Sequence, residues 1–181
     1  MKSILFANQK GGVGKTLLAD ETAWHFEKMK KVNFLDLDQQ GSAVHETIEE
    51  DDADYQIIDT PGALQNEIRQ WIEAADVVVI PTKCNRHDMI PLERMMELTE
   101  GLDKNKFIVV FNQWNRFTGT AEFINWFNVM YPGYKTFLLQ SSVALTDAAA
   151  RSMSIEKYKP KHKAALQIND FMNLLEKTLG E

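Results

Sequence analysis

The chain predicts an α/β fold: a mainly parallel sheet with helices on both faces. Three observations carry this. Short apolar runs rich in β-branched residues recur along the 181 residues, segments with helical spacing separate them, and the first run passes through a glycine-rich turn into a helix. Such alternation builds βα units, whose parallel strands are covered on both sides.

The elements follow in order. Ser3–Ala7 is apolar enough for a central strand, and Thr16–Met29 reads as an amphipathic helix. Val32–Leu37 is a strand that closes on acidic residues. Only a polar stretch ending in Glu49-Glu50-Asp51-Asp52-Ala53-Asp54 separates it from the strand Tyr55–Asp59. Like-charge blocks are usually solvated, and this one precedes a strand, so it belongs at the edge remote from the strand carboxyl ends. Leu64–Glu73 is a helix, Val77–Pro81 a strand, Ile90–Gly101 a helix, Phe107–Phe111 a strand, Ala121–Met130 a helix and Thr136–Leu139 a strand. The last helix, Lys163–Leu179, gathers Ala164, Ile168, Phe171, Met172, Leu175 and Leu179 on one face. Its polar face carries Asn169, Asp170, Asn173 and Glu176 where a membrane-surface helix wants Lys or Arg, so it should pack on the sheet. No repeat or low-complexity linker interrupts the pattern, and residues 1–181 read as one domain.

Composition narrows the function classes. Hydrophobic residues make up 44% and charged residues 25%, the balance of a globular domain, and the net charge of −6 excludes a globally basic nucleic-acid binder. Any DNA contact must come from a local patch. A single cysteine, Cys84, excludes an intrachain disulfide and reads as a small hydrophobe. His25, His45, His87 and His162 lack metal-ligand spacing. No apolar run approaches membrane-spanning length and the chain enters a strand at once, so a cytoplasmic protein without a membrane partner is expected.

The chemistry is concentrated where strands end. Asn8-Gln9-Lys10-Gly11-Gly12-Val13-Gly14-Lys15-Thr16 joins the first strand to the first helix. Glycines let backbone N–H groups converge on an anion, and the helix N-terminus adds its positive dipole end. Gly11, Gly12, Val13, Gly14, Lys15, Thr16 and Leu17 are therefore candidate nucleotide-binding residues. Lys15 supplies a cation near the β- and γ-phosphates and the Thr16 hydroxyl is a candidate Mg²⁺ ligand. Two further strands end in acids, at Asp36-Leu37-Asp38 and at Asp59-Thr60-Pro61-Gly62. Strand periodicity puts Asp36 and Asp38 on one side, and Gly62 offers an N–H to the γ-phosphate. An acid of this kind holds Mg²⁺ through water, and a second orients the attacking water.

These motifs resemble a known family. Lys10-Gly11-Gly12-Val13-Gly14-Lys15-Thr16 is similar to the deviant Walker A box of the ParA/MinD ATPases, a branch of the P-loop NTPases. Asp36-Leu37-Asp38-Gln39-Gln40-Gly41-Ser42-Ala43 resembles the D-x-D-P-Q-G motif of its partition branch, and Asp59-Thr60-Pro61-Gly62 its Walker B and switch region. The stretch from Ser154 to Ala165 resembles the block before the last helix of ParA proteins, so the likeness spans most of the chain.

The resemblance implies an ATP- and Mg²⁺-dependent hydrolase. Lys15 would bind phosphates, Thr16 and Asp59 would hold Mg²⁺ with Asp36 assisting at the metal, and Asp38 would position the water. Lys10 would be the signature lysine that reaches the partner's nucleotide in an ATP-sandwiched homodimer, and Asn112 would contact adenine. The ATP-bound dimer would bind DNA non-specifically, at the nucleoid, and a ParB-like centromere-binding protein would stimulate its weak turnover during plasmid or mobile-element partition. A MinD-like positioning ATPase acting on a membrane or other cargo, or a low-turnover nucleotide-dependent regulator, is the alternative.

The departures matter as much. Gln9 stands where the general P-loop has Gly, Gln39 where the motif has Pro, and Leu17 where a second Thr is common. Asp59 follows Asp38 so closely that the family's extra strand and helix have no room. Ser141, Ser142, Val143 and Ala144 occupy positions that often carry DNA-binding arginines. Arg151, Lys157, Lys159, Lys161 and Lys163 are the substitute candidates.

Overall fold

The computed structural model describes residues 1–38, 43–48, 51–62, 67–115 and 118–180. Gln39, Gln40, Gly41 and Ser42 of the second motif, Glu49 and Glu50 of the acidic run, and the expected start of the second helix at Leu64 lie outside them. Six strands form one sheet: β1 (Lys2–Phe6), β2 (Val32–Asp36), β3 (Tyr55–Asp59), β4 (Val77–Lys83), β5 (Phe107–Trp114) and β6 (Lys135–Gln140). Their spatial order is β2-β3-β1-β4-β5-β6 and every pairing is parallel. The two central strands β1 and β4 carry the apolar runs Ile4-Leu5-Phe6 and Val77-Val78-Val79-Ile80 because both their faces are covered.

Helices divide between the faces. The helices α1 (Lys15–Phe26), α5 (Val143–Ala149), α6 (Ile155–Tyr158) and α7 (Lys163–Leu179) close the core that contains Ile4, Phe6, Ile57, Val79 and Val110. On the other face, α2 (Ile68–Ala74), α3 (Arg86–Glu97) and α4 (Thr118–Met130) cover Leu5, Ile58, Val78, Ile80 and Phe111. The last helix has the expected bounds and packs on the sheet: Phe171, Met172 and Leu175 are fully buried, each worth roughly 1.5–3 kcal/mol. Among the described residues no helix is long and apolar enough to cross a membrane.

Several elements differ from expectation, each for a physical reason. The helix α1 is not amphipathic: Asp20, Glu21 and Thr22 are buried together with Leu18, Ala19, Ala23 and Phe26. Those polar side chains are tolerated because each finds a hydrogen-bond partner: Thr22 donates to the Leu18 carbonyl at 2.7 Å, and Asp20 and Glu21 accept from backbone N–H groups. The helix expected over Ile90–Gly101 instead begins at Arg86, where the Asn85 side chain caps the His87 N–H at 3.0 Å. The strand expected to stop at Phe111 continues to Trp114 through a bulge, with Gln113 at φ 56. The short helices α5 and α6 have no counterpart in the sequence reading. Between β2 and β3 the described residues carry only an isolated antiparallel bridge, Phe34 with Ile48.

Candidate functional site

Sheet register brings the acids to the loop. Phe6, the last residue of β1, is paired with Asp59, and Asp59 with Asp36, so both carboxylates stand at the carboxyl edge beside the strand that feeds the glycine loop. Ligands of open parallel sheets bind at this edge. The loop itself is braced from several sides. The Asn8 amide donates to the Pro81 carbonyl of β4 at 2.8 Å, while its oxygen accepts from the Lys10 N–H at 2.9 Å. The Asn112 amide donates to the Val13 carbonyl at 2.7 Å.

Two glycines are required by geometry. Gly14, the N-cap of α1, sits at φ 103, and a Cβ on it would lie 2.2 Å from the Asn112 amide nitrogen. A Cβ on Gly62 would lie 3.0 Å from the Gly11 backbone nitrogen, so the segment after β3 packs directly against the glycine loop.

At the floor of the loop, the Thr16 hydroxyl donates to one Asp59 oxygen at 2.6 Å. The other Asp59 oxygen, Oδ1, is buried without a hydrogen-bond partner. Burial pushes the Asp59 carboxyl up to about 7, against the pull of Thr16 and of Lys15. A carboxylate with a buried vacant oxygen beside a hydroxyl, at the N-terminus of a helix, fits a hard divalent cation that would restore its charge. Burial also lowers the Lys15 ammonium from its ordinary range, with Asp59 and Asp38 opposing this. Its Nζ donates to the Lys10 carbonyl at 3.3 Å. Asp36 accepts from the Asp38 N–H at 2.8 Å; burial raises its carboxyl while that hydrogen bond lowers it. Among the described residues no cluster of three His, Cys, Asp or Glu side chains could hold a metal, so a cation here would also depend on phosphate oxygens.

Gly11, Gly12, Gly14, Lys15, Thr16, Leu17, Asp38 and Gly62 line one cleft of about 630 Å³. Leu17 and Thr146 also line a smaller recess with Asn112, Gln113, Ser141 and Val143. Gln113, Thr146 and Ala149 of α5 and Ala150 at its C-cap escaped the sequence reading, although Ser142 before an apolar run is a helix-start signal. Cys84 belongs elsewhere: it lines an apolar cleft with Met89, Phe123 and Trp126, and burial pushes its thiol up to about 12.

Lys10 points away from the loop. Its ammonium pairs with the Asp88 carboxylate on α3 and donates to the His87 carbonyl at 3.3 Å. Asp88 is buried at 1% exposure, and its second oxygen has no partner.

The five basic candidates Arg151, Lys157, Lys159, Lys161 and Lys163 are all exposed. Arg151 and Lys159 stack on the Tyr158 ring at 5.3 and 4.8 Å. The segment is fastened to the loop's own helix: Glu21 of α1 accepts from the Ile155 N–H at 2.8 Å, and Lys28 pairs with Glu156.

Comparison with known proteins agrees with this fold. The family model described as the CobQ/CobB/MinD/ParA nucleotide binding domain matches residues 4–159. No curated protein matches the chain. Among solved structures, a Cyanothece McdA variant in complex with ATP superposes with a TM-score of 0.78 at 17% identity, covering 99% of this chain and 96% of that one. A plasmid partition protein from Borrelia burgdorferi gives 0.65 at 14% identity over 95% and 98% of the two chains. The septum site-determining protein MinD from Pyrococcus horikoshii, complexed with Mg-ADP, gives 0.68 at 14% over 92% of each. At these identities the likeness concerns the fold.

Proposed function

Because the chain belongs to the CobQ/CobB/MinD/ParA nucleotide-binding family, we propose that its single domain, residues 1–181, is an ATP hydrolase that works as an ATP-sandwiched homodimer on DNA. The observation that carries the reading is the Thr16–Asp59 pair with its vacant buried oxygen, set under a glycine loop whose lysine is desolvated.

In this reading the loop N–H groups and Lys15 hold the phosphates, and Thr16 and Asp59, with Asp36 assisting, hold Mg²⁺. The bound ion supplies charge neutralisation on the β- and γ-phosphates. Asp38 orients the attacking water, and the Gly62 N–H reads the γ-phosphate. The recess beside Leu17 and Asn112 takes the base, with Asn112 bracing the loop as well. Lys10 leaves Asp88 to reach the nucleotide of a second copy, where a cation delivered in trans offsets transition-state charge.

Arg151, Lys157, Lys159, Lys161 and Lys163 supply backbone contacts to DNA. Pairing two patches in the ATP dimer adds their contacts and steepens the salt dependence, without much sequence preference. The fastening of α6 to α1 supports a link between nucleotide and DNA. The cellular task that fits is partition of a plasmid or mobile element, in the cytoplasm at the nucleoid, with a ParB-like protein stimulating weak turnover.

The test is ATP binding and turnover with and without duplex DNA. Lys15→Ala should lose ATP binding by about 100-fold, as expected for removing a charge-assisted contact in a desolvated site. Asp38→Ala should bind ATP and stop turning over. Unchanged ATP affinity in Lys15→Ala would refute the phosphate site. Gel shifts at low salt that show no ATP-dependent DNA binding would move the assignment to a non-DNA cargo.

A further inference from the structure

The segment that follows the second motif is tied to α1 by a compact cluster. Both Asp20 oxygens accept from the Val44 N–H at 3.1 Å, and Oδ1 also accepts from the His45 N–H at 3.1 Å. The His45 ring returns to the same oxygen through Nδ1 at 2.7 Å, while its Nε2 lies 3.5 Å from Glu27. The ring lies between aromatic neighbours, 5.0 Å from Trp24 and 5.1 Å from Phe34, the latter nearly parallel at 23°. Side-chain exposure is 10% for His45 and 5% for Asp20, so the pair is largely sheltered from water and salt.

Its position gives the cluster a job. Asp20, Val44 and Asp38 all line the cleft of the glycine loop. The connection bearing Asp38 is held at its start by Asp36, which accepts the Asp38 N–H, and a few residues later by Asp20. Among the described residues between β2 and β3, the connection is otherwise tied to β2 by the Phe34–Ile48 bridge and by the Thr47 hydroxyl, which accepts the Asp36 N–H at 3.2 Å. We propose that Asp20 is a positioning residue which, with the His45 ring as its counter-charge, latches the connection to α1 and so sets Asp38 over the phosphate cleft. The inference rests on the ATP hydrolase reading of that cleft.

The latch is charge-dependent. Burial pulls the His45 imidazole down, but the hydrogen bond and charge of Asp20, together with Glu27, more than offset this and leave it above its ordinary 6.5. Asp20 and Glu27 are the carboxylates facing the ring from α1; β2 presents Phe34, and its Asp36 reaches the cluster only through the field it shares with Asp20. The charged latch is therefore complete below pH 6.5 and weakens as pH rises through the raised value.

The experiment compares the parent, Asp20→Asn, His45→Gln and the double variant, measuring ATP affinity by titration and turnover from pH 6 to 9, with amide exchange by NMR. Loss of one charge-assisted bond should cut kcat about tenfold at pH 6 while ATP affinity stays within about twofold. The parent-to-variant ratio should shrink toward pH 9, and the double variant should be no worse than either single one. Asp20→Ala, which removes both acceptor oxygens, should also lose exchange protection at the Val44 and His45 amides, a readout independent of hydrolysis. A ratio that stays constant with pH, or affinity falling in step with kcat, overturns the latch. Retained protection in Asp20→Ala overturns it too. A parent that binds no ATP overturns the nucleotide reading itself, and the inference with it.

Discussion

Lys10 and Asp88, 78 positions apart, form an ion pair in which the carboxylate is buried and the ammonium half-exposed. The dock has a second part with a covalent origin. Pro91 lies inside α3 and carries no N–H, so the His87 carbonyl four residues earlier lacks its helical donor. The Lys10 ammonium donates to that carbonyl instead. Lys10 is thereby held within its own chain, and breaking the pair would leave a buried carboxylate uncompensated.

Asp88→Asn should release Lys10, so that ATP-dependent pairing sets in at a lower protein concentration than in the parent. Pro91→Ala should act in the same direction by giving the His87 carbonyl its helical donor. Lys10→Ala should bind ATP and remain monomeric. Light scattering with ATP across a concentration series measures all three. An Asp88→Asn protein that pairs less readily than the parent would mean that Asp88 aims Lys10 rather than restraining it.

Gly14→Ala should abolish nucleotide binding. The substitution meets both the positive φ of 103 and a contact of 2.2 Å with the Asn112 amide. Adding Asn112→Ala removes the contact but not the backbone strain, so the double variant should remain inactive in an ATP titration. Asn112→Ala alone should weaken ATP binding by about fivefold, the scale of one hydrogen bond lost from the Val13 carbonyl. Full recovery in the double variant would show that crowding, not conformation, requires the glycine.

Glu21 should make stability fall as pH rises. Burial, only partly offset by the Ile155 N–H, pushes its carboxyl to about 7 from an ordinary 4.5. The folded chain then holds the proton more tightly than the unfolded one, so its contribution is intact below pH 4.5 and is lost between there and 7. The shift corresponds to about 3 kcal/mol. Glu21→Gln keeps an oxygen for the Ile155 N–H and removes the charge, so it should match the parent near pH 4.5 and exceed it in urea resistance at pH 8. Asp59 titrates in the same direction, and the difference between parent and variant cancels it. Equal urea midpoints at pH 8 would contradict the burial of an ionised Glu21.

Much of this molecule is legible without coordinates, because its signals are local. A glycine loop between strand and helix, acids at strand ends, and the apolar stripe of Lys163–Leu179 each depend on backbone geometry within a few residues, and the structure reproduces their placement. Local signals also misled. The helix expected from Ile90 begins instead at Arg86, where the Asn85 side chain caps it. The helix over Thr16–Met29 read as amphipathic, yet Asp20, Glu21 and Thr22 are all buried in α1.

Only the tertiary structure could decide those cases. A polar side chain is buried when a distant part of the chain brings it a donor: Val44 and His45 for Asp20, Ile155 for Glu21. The same holds for Lys10, whose partner Asp88 lies on the far side of three strands in sequence. The sequence by itself determined which residues gather at the carboxyl edge of the sheet, because periodicity and turn chemistry are written in neighbours. Which of its charges are held, sheltered or left free depended on contacts between segments remote in the chain, which no local pattern encodes.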